Sequence, residues 1–307
     1  MFNRVFYKFL FLFIIFFCKT YSLEFEEIES GIFLHVGKHE EIDHHNKGDI
    51  CNITFIIGEE SVLVVDSGAS NKIANSVQSE IKKKTDLPIQ HLVLTHGHPD
   101  HFFGTESFAR KNKDLTIFGH EKLSRSLLIN FDFYKNQMQT NTKDSEIKNV
   151  SLVLPNKIVK VNETIEIDIG NRIITLEAWR SGHTDNDLSV FDNETKTLIT
   201  ENIFVDRIPP VTASILGWKK TLEEILKRDI KLVIPGHGDP QNKIRAVKPM
   251  LKYFNRIIEE IREIHNKNLD LEFALNNTSM ENAENWLLFN EYHLRNITRA
   301  FSELEWE

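Results

Sequence analysis

The stretch Thr95–His101 reads T-H-G-H-P-D-H and follows an apolar run, His91-Leu92-Val93-Leu94, with the character of a buried strand. Three histidines and an aspartate are thus packed into six residues at the end of a rigid element. Imidazole and carboxylate are the donors that Zn²⁺ takes outside thiolate sites, and two ligands one residue apart suit a strand-to-loop turn around an ion. A solvated polar turn is the plainer alternative, and it gives no reason for this density of ligand-type side chains. The stretch is a candidate metal site on its own.

The 307 residues are 41% hydrophobic and 27% charged, enough for one large core or two small ones. A net charge of −8 gives no basic footprint for nucleic acid. Two cysteines, Cys18 and Cys51, make neither a disulfide framework nor a thiolate zinc knuckle. Arg4 and Lys8 precede an apolar stretch, Phe9–Phe17, and Ser22 supplies a small residue after it. Residues 1–22 therefore read as a secretory signal peptide, with the bacterial periplasm as the expected compartment. The apolar run is too short to span a bilayer comfortably, so no stable membrane insertion is expected after cleavage.

Beyond the signal, Gly31–Gly37 alternates as a strand, and the His-rich stretch His39–His45 reads as a solvated loop, with a substrate-facing loop or a metal-attracting surface as the alternatives. Asn52–Gly58 and Ser61–Val65 form a hairpin pattern around Glu59-Glu60. The second run ends at Asp66-Ser67-Gly68, ahead of an amphipathic helix over Asn71–Lys84. Asp66 either accepts the second ring N–H of a metal-binding histidine or caps the turn. A strand over Leu115–Phe118 and a helix toward Met138 follow. His120 lacks ligand spacing and is not expected to bind metal. A second β-rich block is predicted from Ile158, with strands over Ile158–Val161, Thr164–Ile169 and Arg172–Ala178, then a hairpin over Leu188–Phe191 and Thr197–Thr200. A helix over Trp218–Lys227 and a strand over Lys231–Ile234 lead into Pro235-Gly236-His237-Gly238, and the remainder is helical. Strands and helices in this repeated order imply an α/β fold of two mixed sheets back to back with helices outside, an αββα sandwich. Residues 23–240 are expected as the catalytic domain and 241–307 as a helical extension packed on it.

Three histidine signals each follow a predicted strand: the Thr95–His101 stretch, Ser181-Gly182-His183-Thr184, and Pro235-Gly236-His237-Gly238. With Val65-Asp66-Ser67-Gly68 ahead of them, this order resembles the metallo-β-lactamase superfamily. That resemblance implies one zinc held by His96, His98 and His183, and a second held by Asp100, His101 and His237. It implies hydrolysis of an ester, thioester or amide-type small molecule by a hydroxide made at the two ions, with Asp100 orienting it. Where many members carry a bridging aspartate, the aligned stretch Leu198–Phe204 places Asn202, a poorer ligand for a divalent pair. The second ion is then expected to be weaker, or bridged by hydroxide alone. Glu201, its neighbour, is expected to point the other way.

The tail, Trp286-Leu287-Leu288-Phe289 through Asn296 and the terminal Glu303–Glu307, resembles exported zinc metallohydrolases associated with quinoprotein and sulfur-oxidation systems. That resemblance implies a periplasmic quinoprotein dehydrogenase as a partner. The tail aromatics Trp286, Phe289, Tyr292 and Phe301 read as packing residues. A β-lactamase proper and a non-catalytic metal-bearing accessory of a periplasmic dehydrogenase are the competing functions.

Overall fold

In a computed structural model of the chain, residues 23–278 and 286–307 are described; the expected signal segment lies outside them. Alternating burial builds the first sheet. In β4 (Val62–Val65) the side chains of Val62 and Val64 face one apolar layer, and those of Leu63 and Val65 face another. A strand buried on both faces has to sit inside a layered fold. The sheet runs β1 (Glu26–Glu29), β2 (Ile32–His35), β3 (Ile53–Ile57), β4, β5 (Ile89–Val93), β6 (Thr116–His120) and β7 (Lys157–Val159) in chain order. Its first four strands pair antiparallel and its last four parallel.

The second sheet has the order β13-β12-β11-β10-β9-β8, from β8 (Thr164–Asp168), β9 (Ile173–Ala178), β10 (Leu188–Asp192), β11 (Thr197–Phe204), β12 (Leu232–His237) and β13 (Gln241–Asn242). Only β11 and β12 pair parallel in it. Leu34, Ile56 and Val93 of the first sheet meet Leu176, Val190 and Ile199 of the second in the central core.

Helices cover both outer faces. On the first sheet lie α1 (Asn71–Lys84), α3 (Thr105–Lys111) and α4 (Leu123–Thr142). α1 starts at Ser70, whose hydroxyl accepts from the Ile73 amide, and buries Ile73, Val77 and Ile81 at helical spacing. On the second sheet lie α5 (Ile215–Lys227), α6 (Lys243–Asn266) and α8 (Phe289–Leu304), with α7 (Leu271–Asn277) beside them. This is the expected αββα sandwich. The C-terminal helices share one core with β11, β12 and α5: Trp218 and Val233 sit in the same cluster as Phe254 and Ile297.

One sequence expectation changes place. The strand predicted to open the second β-rich block, Ile158–Val161, is instead β7, the edge of the first sheet, parallel to β6. The crossover through α4 returns the chain to the sheet it left, as parallel neighbours require. Among the described residues, no helix is long and apolar enough to cross a membrane.

Candidate metal centre

The parallel pairing of β4 with β5 places Asp66 beside Thr95 at the ends of the two strands. Asp66 holds a left-handed backbone (φ 64°) that aims its carboxylate across the gap. It accepts from the Thr95 amide and hydroxyl, both at 2.8 Å, and from His101 Nδ1 at 2.7 Å. Pro99 opens the one-turn helix α2 (Pro99–Phe102), which brings Asp100 and His101 back toward the strand end. Both readings of Asp66 therefore coincide, because the residue that fixes the turn also orients His101.

His96 Nε2 lies 2.8 Å from His98 Nδ1, and His183 Nε2 lies 3.1 Å from that same atom. The Thr95 hydroxyl gives its proton to Asp66, so it can only accept from His96 Nδ1, 3.2 Å away. His183 Nδ1 donates to the Pro210 carbonyl at 2.8 Å. Two of the three inward nitrogens therefore carry lone pairs, and a single proton on His98 serves only one of them. The separations approach the edge of about 3.3 Å expected between ligands of a tetrahedral ion with bonds near 2.05 Å. Burial pushes the His96 and His183 imidazoles well below their ordinary range and His98 down to about 4, which keeps the rings neutral and fit to ligate.

A second group adjoins the first. His101 Nε2 is 3.2 Å from Asp100 and 3.5 Å from Glu201. His237 Nε2 is 3.6 Å from Asp100 and 3.5 Å from the other Glu201 oxygen. His237 Nδ1 donates to the Ile50 carbonyl at 2.7 Å, so its Nε2 presents a lone pair to two carboxylates. Both Glu201 oxygens and His101 Nε2 are buried without a hydrogen-bond partner. Burial drives the Glu201 carboxyl well above the usual range; it opposes charge on His101 too, yet the Glu201, Asp100 and Asp66 carboxylates hold that imidazole well up. Orphaned buried oxygens facing ring nitrogens are a cation site by chemistry, and the donors present fit divalent ions.

Glu201, rather than Asn202, occupies the position between His101 and His237. On β11, Leu198 faces the outer helices and Ile199 the core between the sheets, and Glu201 follows the parity of Ile199; the pairing with β12 turns irregular between Thr200 and Phe204, and Ile203 returns to the outer layer. A shift of one residue exchanges the two faces. The strand beside it carries Gly236, where a β-carbon would stand 1.7 Å from Glu201 Oε2. Asn202 lies against Gly182 with neither amide atom hydrogen-bonded, while its carbonyl accepts from Trp218 Nε1 at 2.9 Å.

The structure thus brings His96, His98, Asp100, His101, His183 and His237 together, adds Glu201, and leaves Asn202 outside. His120 is turned away, bonded to the Trp179 carbonyl at 3.0 Å. A cavity of about 430 Å³ opens over His98, Asp100, His183 and His237. Tyr292 packs with the tail as expected but also lines this cavity, as does Arg207, which carries no sequence motif. The segment Ile50–Asn52 is a further part that no motif marked. Cys51 Sγ donates to the Asp100 carbonyl at 3.0 Å, and Asn52 Nδ2 to the Pro235 and Gly238 carbonyls at 2.8 and 2.7 Å.

Residues 46–237 match the Metallo-beta-lactamase superfamily, and the chain belongs to it. A linear primary-alkylsulfatase of Pseudomonas sp. (strain ATCC 19151) is 35% identical over 73 residues, 22% of this chain and 14% of that protein. Hydroxyacylglutathione hydrolase 1 of Vibrio vulnificus (strain YJ016) is 35% identical over 75 residues, 24% of this chain and 28% of that protein. The matched segments thus span less than a third of either curated relative. The stereoselective inverting sec-alkylsulfatase Pisa1 of Pseudomonas sp. superposes with a TM-score of 0.71 at 16% identity, covering 92% of this chain and 50% of that one, a likeness of fold.

Proposed function

We propose that the chain is a zinc-dependent hydrolase that cleaves an ester, thioester or amide-type bond of a small molecule. The reading is carried by one observation: three inward ring nitrogens, two of them lone-pair bearing, stand beside a carboxylate with two orphaned oxygens. His96, His98 and His183 would hold one ion, and Asp100, His101 and His237 the other, with Glu201 against the second group and close enough to His96 to serve both. When bound, such a pair lowers the pKa of water toward neutrality and polarises the scissile bond. The protein's own part is to keep the His96, His98, His183 and His237 imidazoles neutral by burial, to fix His101 through Asp66, and to place the Asp100 carboxylate where it can orient the attacking water. His98, less completely buried than His96 and His183 and lining the cavity floor, marks where the substrate meets the centre.

The similarity to an alkylsulfatase and a hydroxyacylglutathione hydrolase supports ester-type chemistry over β-lactam cleavage. The accessory reading rests on Asn202 in place of a bridging carboxylate and on the His-rich Asp43-His44-His45 loop; Glu201 speaks against the first of these. Export to the periplasm rests on residues 1–22, and association with a quinoprotein dehydrogenase on the tail resemblance.

The test is metal analysis of the purified chain together with turnover of an aryl ester, a hydroxyacylglutathione thioester, an alkyl sulfate and a chromogenic cephalosporin. Hydrolysis of one non-lactam reporter, abolished in His98→Ala, is expected. Stoichiometric metal with no turnover of any of them would overturn the reading, and turnover of the cephalosporin alone would assign the chain as a lactamase.

A further inference from the structure

Arg207 is 2% exposed and borders the cavity over the histidine cluster. Among the described residues no carboxylate lies within ion-pair distance of it, and its buried Nε has no hydrogen-bond partner. Among the described residues, the polar atom within hydrogen-bond distance of the guanidinium is His237 Nδ1, 3.1 Å from NH1. That nitrogen already donates its proton to the Ile50 carbonyl, so it offers Arg207 no acceptor. Two aromatic rings hold the guanidinium instead: it lies 5.6 Å from the centre of Phe204 and 6.0 Å from that of Tyr292. Tyr292 is fixed in turn by donating its hydroxyl to Glu41, which keeps that carboxylate engaged at the mouth. A buried cation that its own fold leaves without a direct ion pair is costly, and the charge is retained where an anion arrives from outside.

The surroundings define what fits. Arg295, one helical turn beyond Tyr292 on α8, is exposed at the rim and adds a second positive charge. Phe133 and Tyr134 of α4 also line the cavity and supply an apolar surface.

Resting on the hydrolase reading above, we propose that Arg207 is a specificity-determining anion anchor. The cavity takes an amphiphilic substrate whose acidic group (carboxylate, sulfate or phosphate) seats on the guanidinium beside the histidine cluster, with its apolar part along Phe133 and Tyr134. The paired N–H donors of arginine match the two oxygens of any of these groups.

Isothermal titration of the metal-loaded chain with hexanoate, hexyl sulfate, hexyl phosphate and neutral hexanol tests this. At least one anion binds ten-fold or more tighter than hexanol, and the strongest of the three names the group. Arg207→Gln brings that anion to within about two-fold of hexanol with metal content unchanged, and Arg207→Lys recovers part of the difference. Equal binding of anions and alcohol by the parent chain overturns the proposal. So does an anion preference that survives Arg207→Gln, which would place the anion on the ions. If Arg207→Gln does not fold, the comparison rests on Arg207→Lys, where an unchanged anion-to-alcohol ratio is the overturning result. Metal content and turnover of the reporter esters decide the hydrolase reading separately, so the two can fail independently.

Discussion

Gly236 lies so close against Glu201 that the strand leaves room for the carboxylate only because the neighbouring residue has no β-carbon. The first glycine of the P-G-H-G stretch therefore serves a side chain on another strand, while the second, Gly238, takes the left-handed turn (φ 101°). Gly236→Ala is expected to displace Glu201 and lower affinity for the second ion by about 10–100-fold, the range seen when support around a ligand is lost. Metal titration followed by circular dichroism checks it, with secondary structure retained.

Glu201→Gln keeps size and removes charge. Bound metal should fall from two ions toward about one per chain, since a neutral amide is a poor ligand for a divalent pair. Asn202→Asp is expected not to raise metal content, because that side chain faces Gly182. Equal metal in Glu201→Gln and the parent chain would refute the assignment.

How much of this was legible depended on redundancy. Helix α1 was readable to its ends, because the Ser70 cap and the spacing of Ile73, Val77 and Ile81 agree. The histidines announced themselves by density and by the glycines beside them. Glu201 was hidden because Leu198 and Ile199 are both apolar, so the sequence of β11 does not say which parity faces the core between the sheets. Gly236 held the missing signal, but only pairing β11 to β12 turns it into a contact. Arg207 and the Ile50–Asn52 clasp act through tertiary neighbours across β11, β12 and α8, and no local pattern encodes such contacts. β7 reads from the sequence as part of the second sheet because a short edge strand looks alike in either.

Asp66→Asn tests the orientation of His101. An amide in place of the carboxylate can donate toward His101 Nδ1, which moves the ring proton to Nε2 and blocks the nitrogen that faces Asp100 and Glu201. Affinity for the second ion should drop about 10–100-fold. Cobalt-substituted spectra before and after the change report it.

Acid should weaken both the centre and the fold. Burial holds His96, His98, His183 and His237 below 6.5, His98 at about 4. As pH falls through that window the unfolded chain takes up protons that the folded one refuses, so stability declines with falling pH. His101 and Glu201 in the centre, and His35 and Asp187 outside it, are shifted upward and oppose this in the metal-free chain, so the metal-loaded protein is the one to follow. The same protons compete with metal for the ligands. Melting temperature and bound metal measured between pH 7.5 and 4.5 should fall together and recover on returning to neutral pH with zinc.

The wall formed by Tyr292 joins a residue near one end of the described chain to a loop near the other, through its bond to Glu41. The same helix sends Glu303 to the start of α5, where it accepts from the Ser214 hydroxyl and the Ile215 amide at 2.5 and 2.8 Å. Every residue of the ion-binding cluster has been synthesised once His237 leaves the ribosome, yet the chamber above it lacks one side until α8 arrives. The order of synthesis thus separates two tasks: the donor side chains can come together before α8 is made, and the cavity over them gains its last wall only when α8 is in place.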